Sequence, residues 1–488
     1  MDVRLVFPAV SVWAATLAGL HAGRDISLAM CVIAGLLCAA CVVAVRWRKA
    51  QWATVGLVVV ISGMVATSAA ALFLRQEAIA EHPLTGHDGK ARVTVVIRDD
   101  PIAIGVHRSR VLIRVDVTAV GGRPAAEAPA QLTAPAEGWM VLLPGQQVSA
   151  IVAVRPPQRA DLSVASLSAG GAPHLIGRPP PHQRVAEHVR ERLRDSSSRA
   201  LGPQPSGLLP GLVLGDVSGL DDDVGDDFRA AGLSHLVAVS GANFALVCGA
   251  AVLVIMALGA SPRTAAVLGA VVIVVFVILV RPSPSVLRAA MMGAVGLLAM
   301  VTARRGQSLP ALGAAVIGGL LWWPELAIAP GFALSVAATA GLVVWGRGIR
   351  DWLRDHRVPA GVADLLAMTL AAQVVTAPVL AMLNGRYLVI GVIANVLVVP
   401  VVGVIAIVGT LAALIGAIGG DDGIGMIVSE LLVRGTGPEL WWMITCARVC
   451  ARQSWASVPV PDGIGGLCLV GAATAVGVLG IRRSRLAA

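Results

Sequence analysis

Long apolar runs, broken by arginines and prolines, cover both ends of the chain. Residues 5–22 and 26–45 are separated by His21 to Asp25, and a third run fills 52–74 after the basic cluster Arg46 to Lys49. Apolar runs resume near 233–259, 265–280, 285–303, 308–323, 327–346, 360–383, 388–418 and 463–481. Runs of this kind are long enough to cross about 30 Å of hydrocarbon. The run at 388–418 suits one long span or a broken pair. Residues 421–456 are mixed, with Glu430, Arg434, Glu439, Arg448 and Arg452 interrupting the apolar pattern. If 388–418 crosses once, 424–450 must supply a further crossing. The pattern predicts a polytopic α-helical membrane protein with about 10–12 transmembrane helices.

The pattern changes between residues 80 and 180. In Arg110 to Thr118, Val111, Ile113, Val115 and Val117 alternate with Arg110, Arg114, Asp116 and Thr118. That period of two marks a strand with one buried face. Arg92 to Arg98 and Gln147 to Val154 read the same way, with turns at Asp99-Asp-Pro101, Gly105 and Pro144-Gly145. Several short strands with turns predict a small β-barrel inserted after the third helix. Residues 181–210 form a linker with a charged helix from Arg184 to Leu201, expected to be solvated or interfacial. The expected divisions are therefore 1–75 for the first helices, 80–180 for the barrel, 181–210 for the linker and 211–488 for the main bundle.

Composition supports the membrane reading. Of 488 residues, 56% are hydrophobic and 14% charged, and the mean hydropathy is +0.80. The net charge is +9, and Lys49 and Lys90 are the only lysines. Basic loops at Arg46 to Lys49, Arg263, Arg304-Arg305, Arg347 to Arg357 and Arg482 to Arg485 are consistent with a cytoplasmic N-terminus and an extracytoplasmic barrel. Asp351 to Arg357 reads as a short amphipathic segment on the membrane surface. The seven cysteines avoid the barrel, so neither disulfides nor a Cys-based metal site is expected there. No phosphate-binding Gly-x-x-x-x-Gly-Lys loop is present, and no cofactor or metal is expected.

The polar chemistry concentrates in Gly211 to Gly249. This stretch carries Asp216, Asp221 to Asp223, Asp226 and Asp227, then His235, Ser240 and Asn243 in an apolar helix candidate. Ser240 and Asn243 either hydrogen-bond a neighbouring helix or line a polar path through the bundle. Gly241, Ala245 and Gly249 form a small-residue stripe. His235 would lie about 140° from Ser240 on one helix. Arg288, one turn into its span, could pair with Asp216 or Asp226, meet a phosphate, or snorkel to the interface. Gln373 with Pro378, and Asn395 with Pro400, are further polar points in proline-containing helices.

These segments resemble the ComEC-type competence proteins, inner-membrane channels for DNA uptake in transformation. The resemblance rests on Gly215, Asp216, Ser218, Gly219, Leu220, Phe228, Arg229, His235, Leu236, Ser240, Gly241 and Asn243. It continues in the Pro-Ser-x-x-Arg-Ala motif at 284–289, Pro330 to Ser335, Ala371 to Gln373, and Ala394-Asn395 with Pro400. Two positions depart from it: Asn243 where many members have His, and Ala333 where an amide residue is usual. The resemblance implies an oligonucleotide-binding-fold (OB-fold) barrel. It also implies a path for single-stranded DNA past Asp216, Ser240, Asn243, Arg288, Gln373 and Asn395, with Gly215, Gly219, Arg229, His235, Gly241 and Pro400 as signature or structural positions.

The metallo-β-lactamase-like motif His-x-His-x-Asp-His that many such proteins carry is absent from the nine histidines, so a form without its own nuclease domain is expected. The implied partners are single-stranded DNA, membrane lipid, a DNA receptor, a separate nuclease, a cytoplasmic ATPase and a second copy of the chain. Trp139 is the only aromatic residue between 81 and 180, so the barrel is as well suited to a structural role as to base stacking. Two other functions fit the same residues: a small-molecule or lipid-intermediate transporter, and an inactive membrane scaffold.

Overall fold

The computed structural model describes residues 2–46, 52–105, 108–157, 161–237, 239–302, 308–418, 423–453 and 455–487. Contacts divide the chain into two units. One is Met1–Glu187 with Gly313–Ala329, and the other is His188–Leu312 with Pro330–Ala488. The basic residues Arg48, Lys49, Arg304 and Arg305 lie outside the described residues, as do the side chains of Arg46, Arg482, Arg483 and Arg485.

The first unit begins with α1 (Val6–Ala22), α2 (Arg24–Arg46) and α3 (Trp52–Ala80). Gly23, at φ 84°, makes the break between the first two helices. Polar side chains inside this group pair with one another. Thr16 meets Ser68 at 3.0 Å, and Ser27 donates to Gln76 at 2.9 Å. Such bonds satisfy groups that lipid cannot.

Seven strands follow: β1 (Gly89–Ile97), β2 (Ile102–Ile104), β3 (Arg110–Val120), β4 (Arg123–Pro135), β5 (Gln147–Arg155), β6 (Ser166–Ala169) and β7 (His174–Leu175). β1 pairs antiparallel with β3 and β5, β3 with β4, and β5 with β6, while the parallel pair β4–β6 closes the ring. Five strands in the order β1-β3-β4-β6-β5-β1 make the OB-fold barrel topology. The alternation in β3 turns Val111, Ile113, Val115 and Val117 into the core.

Sequence patterning finds β1, β3 and β5 but misses β4. Its inward residues Ala128, Ala130 and Ala134 carry little hydrophobic signal, and Pro124, Pro129 and Pro135 argue against a strand. Trp139 is fully buried and donates Nε1–H to the Gly171 carbonyl at 2.9 Å. It is a core residue, so the barrel's one aromatic ring is not a platform for a base.

The charged helix α4 (Pro181–Ala200) leads into the second unit, which continues with α5 (Pro203–Leu214), α6 (Asp222–Ala230), α7 (Ser234–Val237) and α8 (Gly241–Ala257). Next come α9 (Pro262–Val280), α10 (Pro284–Val301) and α11 (Ser308–Trp322), whose last residues belong to the first unit with a 3₁₀ turn at Pro324–Ile328. Then follow α12 (Pro330–Asp355), α13 (Ala360–Asn384), β8 (Arg386–Leu388), α14 (Gly391–Gly416), α15 (Ile424–Gly435), α16 (Gly437–Ala451), β9 (Ser457–Pro459) and α17 (Gly463–Ala487). β8 and β9 pair antiparallel.

Among the described residues seven helices are long and apolar enough to cross a membrane: α2, α3, α9, α10, α12, α13 and α14. Four shorter apolar segments accompany them, namely α1, α8, α11 and Gly463–Val476. The protein is a multi-pass membrane protein. Ser-Pro pairs start two spans: Ser261 and Ser283 accept from Thr264 N–H and Val286 N–H, with Pro262 and Pro284 in the first turn.

Three readings of the sequence change here, and one open alternative is settled. The candidate helix 233–259 is broken into α7 and α8. The 388–418 run is the single helix α14, with Pro400 inside it. The segment from Asp351 is no separate surface helix: α12 runs on through Asp355, and Arg350 and Arg354 pair with Asp364 of α13. The linker helix α4 is not solvated all round, since Arg190, Arg192, Leu193, Ser196 and Ser197 are buried.

Residues 424–451 form a broken helix that runs antiparallel to α14. Near the C-terminal end of α14, a Cβ on Gly416 would touch Ser429, and near the opposite end Trp442 donates to the Leu397 carbonyl at 2.9 Å.

Replacing Trp139 with Ala should destabilise the barrel by about 3–5 kcal/mol, as cavity formation at a fully buried aromatic does. Faster amide hydrogen exchange across β3 and β5 of the purified full chain, with exchange in α9 and α14 unchanged, is the expected readout.

Candidate functional site

The acidic signature is built on α5. This helix is buried from Gly207 to Leu214 and ends at Gly215, whose φ of 74° is left-handed and whose N–H returns to the Gly211 carbonyl. A side chain at Gly207 would collide with the carbonyl of Gly219, so the close approach of α5 to the turn requires glycine there.

Asp216 follows the cap and is buried. It accepts hydrogen bonds from Ser218 N–H at 3.2 Å and Ser218 Oγ at 2.7 Å. Two arginines of α4 face it: Arg194 Nε at 2.9 Å and Arg190 Nη2 at 3.9 Å. Arg190 Nη1 also donates to the carbonyl of Leu214 at 3.1 Å and to that of Leu279 at 3.4 Å, tying α4 to the ends of α5 and α9. Burial pushes the Asp216 carboxyl up, but Arg190, the Ser218 bonds and Arg194 outweigh it and hold the group below the usual carboxylate value.

The rest of the acidic run is divided among caps and surface pairs. Asp221 caps α6 by accepting from Asp223 and Val224 N–H. Arg229 pairs with Asp226 at the surface, and Asp227 pairs with Arg448 of α16 at 3.3 Å. Gly219 is exposed.

His235 is exposed on the short helix α7, apart from α8, so the one-helix angle between it and Ser240 does not apply. Ser240 is the N-cap of α8, and its hydroxyl accepts from Asn243 N–H at 3.1 Å. Asn243 is buried, and its Nδ2 has no hydrogen-bond partner among the described residues.

Arg288 is the most informative of the expected residues. It is 8% exposed, one turn into α10. Its Nε donates to Ser335 Oγ of α12 at 2.6 Å, and Nη1 lies 3.2 Å from the Met292 sulfur. Nη2 lies 2.5 Å from the place a Cβ on Gly241 would take. Gly241 N–H donates to Ser285 Oγ at 3.2 Å, and Ser285 Oγ lies 3.3 Å from Ser335 Oγ. No carboxylate pairs with Arg288 among the described residues. The expected partners Asp216 and Asp226 are engaged elsewhere, and its burial excludes snorkelling to water.

Three segments far apart in sequence therefore meet at one point: Ser240-Gly241, Ser285 to Arg288, and Ser335. Gln373 and Asn395 do not join them through any hydrogen bond among the described residues. Gln373 donates to the Leu388 carbonyl at 3.3 Å, and Asn395 donates to Gly391, one turn back on its own helix, at 2.7 Å. Pro400 is exposed on α14. Sequence reasoning missed Arg190 and Arg194 as partners of Asp216. Their signal was the helical spacing of Ala186, Val189, Leu193 and Ser197, which marks a buried stripe on a helix otherwise read as charged. Among the described residues no group of three or more His, Cys, Asp or Glu is arranged to hold a metal ion.

A multi-pass helical bundle with an OB-fold barrel and a buried arginine site is the class defined by these features. The family model described as "Competence protein" matches residues 212–485, and the chain belongs to that family. It is also 27% identical over 232 residues to ComE operon protein 3 of Bacillus subtilis (strain 168). That match covers 48% of this chain and 28% of the relative, so the likeness reaches under a third of the relative's length. No solved structure matches the chain.

Replacing Asp216 with Ala leaves Arg190 buried without its carboxylate and should cost about 3–5 kcal/mol, the usual penalty for removing one partner of a buried pair. Because the carboxyl is held below its ordinary value, its contribution is complete above the unfolded pKa and is lost as pH falls through the folded one. Thermal unfolding of the purified protein should show the loss at neutral pH. The difference from the parent should shrink as the solution is acidified below the ordinary carboxylate range.

Proposed function

We propose that this protein is the membrane path for single-stranded DNA in natural transformation. The observation that carries the reading is the buried, carboxylate-free Arg288, linked through Ser335 and Ser285 to the N-terminus of α8 inside the competence-family region. A polyanion needs positive and hydrogen-bonding contacts to enter a low-dielectric bundle, and each contact must be weak enough to release it. Asn243 adds a buried donor on the same helix turn, free to bond a base edge or a phosphate.

In this reading Asp216 has another role: with Arg190 and Arg194 it fixes the turn from which α6, α7 and α8 depart. Gln373 and Asn395 stand as further polar points along the path, and the signature positions Gly215, Gly219, Arg229, His235 and Pro400 shape the elements around it.

The reading places the N-terminus in the cytoplasm and the barrel outside the cell, as the arginine-rich loops favour. The barrel receives the strand through charge and not through stacking. Lys90, Arg110 and Ser168 line an open groove on it, whereas Trp139 is enclosed in the core. A receptor, a separate nuclease and a cytoplasmic ATPase complete the machinery in this scheme.

Uptake of labelled single-stranded DNA tests the proposal in cells carrying the parent chain, Arg288→Ala or Asn243→Leu. Both variants are expected to insert in the membrane at parental levels and to lose protected intracellular DNA. Parental uptake in both would remove the path from this site.

A further inference from the structure

We infer that the space beside Arg288 Nη2, at the N-terminus of α8, is a pocket that binds one singly charged anion, presented either as a free inorganic ion or as a phosphodiester group. The inference goes beyond the DNA path, because a free ion could fill the pocket whether or not the protein carries DNA.

Arg288 is 8% exposed and is always protonated. Its bonds go to the neutral groups Ser335 Oγ and the Met292 sulfur. Nη2 lies against Gly241, the first residue of α8, and the start of a 17-residue helix carries a positive partial charge. Two positive poles thus face each other in an apolar bundle. A buried cation in this setting is normally paired with a carboxylate, as Arg190 is with Asp216 in the same unit. An anion placed against Nη2 relieves both poles together.

The hydrogen-bond inventory agrees. Nη2 makes no hydrogen bond among the described residues, so its two N–H groups are available. Ser285 and Ser335 share one bond, which uses one hydroxyl proton of the two. Ser285 Oγ also accepts from Gly241 N–H, and Ser335 Oγ accepts from Arg288 Nε. One hydroxyl proton therefore remains to donate. The set offers donors and no carboxylate, which selects an anion. A guanidinium, being more weakly hydrated than an ammonium, suits a partly desolvated one. Gly241 lets Nη2 lie against the start of α8, since a methyl group there would meet it at 2.5 Å.

The test uses the full chain in detergent. The melting temperature is followed as sodium gluconate is replaced by sodium chloride or sodium nitrate at constant ionic strength, for the parent, Arg288→Gln, Arg288→Lys, Gly241→Ala and the surface control Arg354→Gln. A ligand that binds only the folded state raises the melting point saturably, here by about 2–4 °C. The parent and Arg354→Gln should show this rise. Arg288→Gln and Gly241→Ala should lose it, and Arg288→Lys should keep a weaker one. Gly241→Ala retains the arginine, so its loss of response separates a blocked pocket from a missing charge.

A second arm adds a short thymidine oligonucleotide or its uncharged methylphosphonate counterpart. Competition with chloride by the charged oligomer alone supports the site and names the phosphodiester as an occupant. An Arg288-dependent chloride response without such competition supports a free-ion site and counts against the DNA path. An oligonucleotide response lost in Arg288→Gln, with none to chloride, supports a site for phosphodiester alone. If neither probe shows any difference between the parent, Arg288→Gln and Gly241→Ala, the anion site is overturned.

Discussion

The second unit is governed by the cost of holding charge in an apolar bundle. A carboxylate or guanidinium withdrawn from water loses several kcal/mol of solvation, which only an opposite charge or a full set of hydrogen bonds can offset. Asp216 meets the condition twice over, with two arginines and both donors of Ser218. That arrangement fixes the turn after α5. Because Arg190 also reaches the Leu214 and Leu279 carbonyls, the same pair joins the charged helix α4 to the ends of two apolar helices. Arg288 meets the condition only in part, with hydrogen bonds and no carboxylate among the described residues.

The backbone obeys the same rule. Each helix that starts inside the bundle must satisfy its first N–H groups without water. Ser240 and Ser283 supply caps from their own side chains, and Ser261 does the same at the exposed start of α9. At α8 the neighbouring helix contributes as well, through Ser285 to Gly241 N–H. Ser240 is thus committed to a cap, while Ser285 and Ser335 keep donor capacity. The three serines differ in what they accept: Ser240 takes the N–H of Asn243 on its own helix, Ser285 that of Gly241 on a neighbouring one, and Ser335 the Arg288 Nε–H.

Much of the architecture was legible because the spans and strands declare themselves by local periodicity. The apolar runs fall on α1 to α3 and on α8 to α14, and the alternation from Arg110 to Thr118 lies within β3. β4 was hidden, since its inward residues are mostly alanine and its prolines imitate a loop. Within the site, residue types were easier to read than partnerships. Asp216 and Arg288 were both singled out as costly, and pairing them was the natural guess from sequence. The actual partner of Asp216 lies on a helix that looks solvated, because four arginines and three acids between Arg184 and Asp195 mask a stripe of buried positions. The meeting of Gly241, Arg288 and Ser335 was beyond local reading, since they lie on three helices and only tertiary packing brings them together.

The difference between the two charged sites also bears on transport. A carboxylate beside Arg288 would stabilise the bundle, yet it would compete with every phosphate that arrived. Leaving the guanidinium with hydroxyl and thioether neighbours keeps it oriented, through Nε to Ser335, while its outer nitrogen stays uncommitted. The stability forgone is recovered elsewhere, in the Asp216 pair and in the fully buried α5. A path for a polyanion cannot rely on many such sites, because several full charges would hold the strand instead of passing it. In the proposed path, one arginine, a helix start and two shared hydroxyls would attract a phosphate without holding it against the next one.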